Sequence, residues 1–149
     1  QTNKVKYIAP FIKLIHSIDS LKILIEINKE AKKNNRVIDC LLEFYIASED
    51  TKFGLELSDA KQILDSPDFR QMENIRIVGV MGMASFTDNM TIVRNEFITL
   101  KKHFDVIKNE YFHNDDNFKE ISMGMTNDYI IAIEEGSTMV RIGTAVFES

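Results

Sequence analysis

Five short apolar runs, LIHSID, VIDCLLEFYI, IRIVGVMGM, EISMGM and MVRIGTAVF, recur along the chain with an amphipathic segment between each and the next. A strand that is apolar on both faces must be covered on both sides, and a helix between two such strands makes them parallel. The pattern therefore predicts an α/β fold, a parallel sheet packed against helices. Helices are expected over 20–34, 58–64, 94–110 and 126–135. Asp19-Ser20 and Ser58-Asp59 stand ahead of two of them, where a side-chain oxygen can accept from the free N–H groups of the first turn. Ser66-Pro67 closes the second helix, because proline cannot continue the ladder and restricts the residue before it.

Composition removes several classes of function. Of the 149 residues, 44% are apolar and 28% charged, the formal charge is −5, and no apolar run is long enough to span a bilayer. An acidic total with no basic face argues against nucleic acid as a partner. Lys4, Lys6 and Lys13 read as a solvated helix face. No membrane or secretion segment is indicated, so the expected location is the cytoplasm. One cysteine, Cys40, excludes an internal disulfide and a multi-cysteine zinc site, and its setting in VIDCLLEF favours a buried, inert thiol. The chain opens on Gln1, inside what reads as a helix (QTNKVKYIAPFI), and so reads as one domain, 1–149, from a longer protein.

Function points to the last thirty residues, where two strands end in small residues: Ser122 and Gly124 after the first, Gly143 and Thr144 after the second. The helix between them carries Ile130, Ile131 and Ile133, read as its inward face, and Gly136 to stop it. A βαβ unit with Gly, Ser and Thr at its strand ends resembles the phosphate site formed by the last loops of a (β/α)8 barrel. Ser122 can donate its hydroxyl, and the backbone N–H groups around Met123, Gly143 and Thr144 can point at phosphate oxygens. Arg141 stands alone among Met139, Val140 and Ile142, and a buried guanidinium needs partners. The alternative is structural, an arginine paired with a neighbouring carboxylate.

The segments QTNKVKYIAPFIKLIHSIDS, ASEDTKFGL, VGVMGMASF and SMGMTNDYIIAIEEGSTMVRIGTAVF resemble, in order, those of the pyridoxal 5'-phosphate homeostasis proteins, whose fold is the barrel domain of alanine racemase. The family's SMGMS is SMGMT here, which keeps a hydroxyl, and its Gly-x-Arg-x-Tyr tail is replaced by Glu148-Ser149. The resemblance implies a partial (β/α)8 barrel, about five of eight βα units, because such barrels need about 200 residues or more. It implies pyridoxal 5'-phosphate as cofactor, with Ser122, Met123, Gly143 and Thr144 at its phosphate and Arg141 near its pyridine nitrogen. In the family a lysine on the first barrel strand holds the cofactor as a Schiff base. None of Lys4, Lys6, Lys13, Lys22 or Lys52 stands in that context, so no covalent lysine is assigned.

The implied role is a non-catalytic carrier that buffers the cofactor and hands it to apo-enzymes that depend on it. The alternative is an amino-acid racemase on the same barrel, which needs a second base from an additional β domain. Other residues carry weaker signals. His16 reads as a core histidine, and His103 and His113 read as surface. Met81, Met83, Met123 and Met125 could flank a flat ring or simply fill core, while Glu49, Asp50 and Lys52 read as a solvated loop. No Ser-His-Asp set, HExxH pair or Walker loop is present, so metal dependence is unsupported. With strands LIHSID and MVRIG as open edges, self-association through those edges is expected.

Overall fold

A 3-10 turn (Thr2–Lys4) leads into α1 (Val5–Ile8), β1 (Leu14–Ile18), α2 (Leu21–Lys33), β2 (Ile38–Glu43), α3 (Leu57–Asp65) and α4 (Pro67–Arg70). There follow β3 (Ile75–Met81), α5 (Met90–Tyr111), β4 (Glu120–Met125), α6 (Tyr129–Glu134) and β5 (Met139–Arg141). The structure, a computed structural model, describes residues 2–49 and 52–142. The strands form one sheet in the order β1-β2-β3-β4-β5, with every neighbouring pair parallel. Sequential order, parallel pairing and a helix after each of β1 to β4 are the arrangement of consecutive units of a (β/α)8 barrel, so the five strands form part of one.

Alternation along each strand separates two faces. Outward, Ile18, Leu42, Phe44, Val80, Ile121 and Met123 meet Leu24 and Ile27 of α2 and Phe97, Leu100 and Ile107 of α5 in one continuous core. Inward, Leu41, Val78 and Met81 form a smaller cluster with Leu14 and Met139. At the amino ends of the strands, Asp39 accepts from Arg76 Nε at 2.8 Å and Nη2 at 3.3 Å. Val78 and Met81 lie three positions apart yet share the inner cluster, because the β2–β3 register shifts between Cys40 and Leu41, opposite Ile77 and Gly79. At Gly79 the neighbouring strand comes so close that a Cβ would stand 1.9 Å from the Glu120 carbonyl oxygen.

Helix ends differ in detail from the sequence expectation. Ser20 does cap α2, its side chain accepting from the Ile23 N–H at 3.2 Å. The cap of α3 is Glu56 rather than Ser58-Asp59, and Asp59 reaches back to the Glu56 N–H at 2.9 Å to complete a capping box. α5 starts at Met90 instead of 94 because Asn89 accepts from the N–H groups of Thr91 and Ile92. The opening helix is only the short α1 after a 3-10 turn, and Lys13 lies outside it.

α6 corrects the reading of its inward face. The segment 126–128 is a turn, held by Asp128 Oδ1 accepting from the Met125 N–H at 2.7 Å. Ala132 is the buried residue and Ile131 is partly buried, whereas Ile130 is 61% and Ile133 54% exposed. The sheet approaches too closely for a larger side chain, since a Cβ on Gly124 would lie 2.7 Å from that of Ala132. Gly136, with φ +106°, follows the helix end as expected.

Candidate functional site

The inner face becomes polar at the carboxyl ends of its strands. Ser122 on β4 and Arg141 on β5 meet there, Nη1 donating to Ser122 Oγ at 2.6 Å, while Nη2 donates to the Gly82 carbonyl at 3.4 Å. His16 on β1 places Nδ1 3.4 Å from the same hydroxyl. An arginine donates and never accepts, so Ser122 Oγ accepts from Arg141 and its own proton is free to turn toward His16. Ser122 is fully buried.

Electrostatics ties a fourth residue to this group. Glu43, buried at the end of β2, has its carboxyl pushed above the ordinary value by burial and then by the charge of Asp19, with Arg141 acting in the opposite sense. Burial, then the positive charge of Arg141, lowers the His16 pKa and favours the neutral ring. Burial also lowers that of Arg141, against the attraction of Glu43 and Asp128. Among the described residues, the arginine's partners are therefore a serine hydroxyl and a backbone carbonyl, with two carboxylates in its field.

Other candidates separate. Met123 is fully buried in the outer core, so only its backbone faces the neighbouring strands, and its carbonyl accepts from Ser137 Oγ at 2.7 Å. Met81 belongs to the inner cluster and Met123 to the outer, while Met83 and Met125 are exposed; the four methionines do not form one wall. His103 is packed on Phe44, ring centroids 5.0 Å apart, and burial lowers its pKa, so it is half-buried rather than a fully exposed surface residue. His113 is exposed as expected. Lys52 pairs with Glu56 at 3.1 Å. Cys40 is fully buried and its thiol is pushed up to about 12 by burial and then by Asp39. Gly143, Thr144 and Asp50 lie outside the described residues.

Sequence reasoning had no signal for Glu96. This α5 carboxylate, 4% exposed, accepts from the backbone N–H and hydroxyl of both Ser48 and Ser85 at 2.6 to 2.7 Å. Burial opposes its ionisation, but the hydrogen bonds from Ser85 and Ser48 outweigh that and hold its pKa below the ordinary value. Beside it an open cleft of about 940 Å³ lies between the loop after β3 and the turn after β4. Among the described residues no cluster of His, Cys, Asp and Glu is arranged for a metal ion. None of their helices is long and apolar enough to cross a membrane.

The family model for the alanine racemase N-terminal domain matches residues 2–149. The chain belongs to this family. It is 39% identical over 147 residues to the pyridoxal phosphate homeostasis protein of Aquifex aeolicus, covering 99% of this chain and 62% of that protein. The protein of the same name from Pasteurella multocida is 31% identical, covering 99% of this chain and 61% of the relative. The chain thus spans a little over three-fifths of the length of these two relatives. The family fold is also that of PipY from Synechococcus elongatus, solved with PLP bound. PipY superposes with a TM-score of 0.86 at 24% identity, over 99% of this chain and 66% of PipY.

Proposed function

We propose that this chain is part of a pyridoxal 5'-phosphate carrier, a non-catalytic protein that buffers the cofactor inside the cell and delivers it to apo-enzymes. The observation that carries the reading is the Ser122–Arg141 pair, 2.6 Å apart at the carboxyl ends of adjacent parallel strands in a chain of this family. The donor set suits the cofactor: a serine hydroxyl and a guanidinium, both able to donate to a phosphate oxygen or a ring nitrogen. Met123 would contribute backbone alone. The family resemblance adds Gly143 and Thr144 to the proposed phosphate contacts, and no lysine of this chain is assigned a covalent bond to the cofactor.

When bound, the cofactor's pyridine ring acts as an electron sink. The residues here would temper it. Arg141 carries a permanent charge and offers only donors, so beside the ring nitrogen it would hold that nitrogen unprotonated and weaken the sink. A phosphate reaching the buried Ser122 hydroxyl would exchange the Arg141 contact for its own. These roles suit storage and release better than proton transfer at carbon.

Titration of the protein with pyridoxal 5'-phosphate, read by equilibrium dialysis, tests the assignment. Arg141→Gln and Ser122→Ala are each expected to weaken uptake about tenfold, the scale of a charge-assisted hydrogen bond. Unchanged uptake in both variants would remove the pair from the site. Loss of optical rotation from an L-amino acid in the same samples would favour a racemase instead. We further infer that β1 and β5, the outer strands among the described residues, take further strands, from a longer form of this chain or, when this chain is alone, from a second copy of it. Sedimentation should then show mass rising with concentration, and a monomer at all concentrations would contradict it.

A further inference from the structure

We propose that Glu96 is the positioning residue of the ligand rim, its carboxylate fixing the loops after β2 and β3 to each other and to α5. Oε1 accepts from the Ser85 N–H at 2.7 Å. Oε2 accepts from Ser85 Oγ at 2.6 Å, from the Ser48 N–H at 2.6 Å and from Ser48 Oγ at 2.7 Å. The Ser48 N–H also lies 2.9 Å from Ser85 Oγ, so the two loops touch through the same group of atoms. A second tie runs in parallel, the Phe86 N–H donating to Glu49 Oε1 at 2.6 Å, and the Tyr45 hydroxyl donates to the Glu49 carbonyl at 2.9 Å within its own loop.

A buried carboxylate is costly unless its oxygens are satisfied, and four donors from two separate loops satisfy this one. Each loop supplies one serine as both backbone and side-chain donor, so neither loop can shift without releasing bonds to a charged group. That makes the pair of loops move as one body with α5. The loop after β3 supplies Met83, Phe86 and Asp88 to the open cleft, whose far side is Met125 to Asp128 from the turn after Ser122 and Gly124. Among the described residues, Glu96 makes its hydrogen bonds to Ser48 and Ser85 and none to Ser122, Met123 or Arg141. It sets the width of the cleft beside that cup through the loop that walls it.

The role rests on the pyridoxal phosphate reading only for the identity of the ligand, and amide exchange in the free protein tests it without ligand. Glu96→Gln keeps size but removes the charge and brings an NH2 group against the serine donors. Exchange at the Ser48 and Ser85 amides is expected to rise about tenfold or more, with the amides of Phe97 and Leu100 in α5 unchanged. Ser85→Ala leaves the carboxylate in place and should speed exchange at Ser48, in the other loop, about threefold or more. Should Glu96→Gln fail to fold, the Ser85→Ala measurement decides alone. Wild-type exchange at Ser48 in Ser85→Ala would overturn the proposal, as would equal acceleration at Ser48, Ser85 and the α5 amides.

Discussion

The two faces of one sheet are built from alternate residues of the same strands and have opposite characters. The outer face is filled: Leu24, Ile27, Phe97, Leu100 and Ile107 from the helices are fully buried on it. The inner face has a small apolar cluster, then a group of ionisable residues at one end and an ion pair at the other. Most of the buried apolar side chains lie on the first, and the proposed ligand chemistry on the second. A parallel sheet can separate them because its side chains alternate, so a polar residue placed inward leaves the outer core intact.

The sharpest way to break this division is on the outer side. Phe97→Ala empties a fully buried site in α5 and should lower unfolding free energy by about 3–5 kcal/mol in urea titration. A loss under about 1 kcal/mol would mean that the outer face is not the main source of stability. Gly79→Ala attacks the sheet that both faces share. Its Cβ would meet the Glu120 carbonyl, so a loss of about 1–3 kcal/mol is expected, with weakened exchange protection along β3 and β4.

The smallest effect sharpens the inner side and has the opposite sign. Glu43 titrates higher in the folded chain than in the unfolded one, so its contribution to stability is fully present below the ordinary value of 4.5 and is lost as pH rises through the folded pKa. Glu43→Gln should therefore raise the melting temperature relative to wild type near neutral pH and gain less near pH 4. A variant less stable than wild type near neutral pH would show that attraction to Arg141 outweighs burial. The carboxylate would then be part of the scaffold.

The strands were legible because each is a short, largely apolar run bounded by polar segments. VIDCLLEFYI and IRIVGVMGM permit little else. Helix starts were less so. The apolar period of α5 becomes clear only at Val93 and Phe97, so no periodicity marks the first turn, which Asn89 caps. In α6 three isoleucines look like a buried stripe, yet the sheet faces Ala132, and only the close approach at Gly124 reveals why. The Ser122–Arg141 pair was half legible: a lone arginine in an apolar strand signals a partner, while its geometry belongs to the fold. His16 lies 106 positions from Ser122, and Glu96 lies 48 positions from Ser48. No local pattern connects residues so far apart; only the parallel topology does.

Cys40 gives the protein an internal clock. A thiol pushed up to about 12 and closed off from solvent is almost wholly protonated at neutral pH, and the protonated form is a poor nucleophile. Alkylating reagents should reach it only when β2 leaves the sheet. The rate of labelling at this one sulfur therefore reads how often the whole outer core opens, without a probe having to be added.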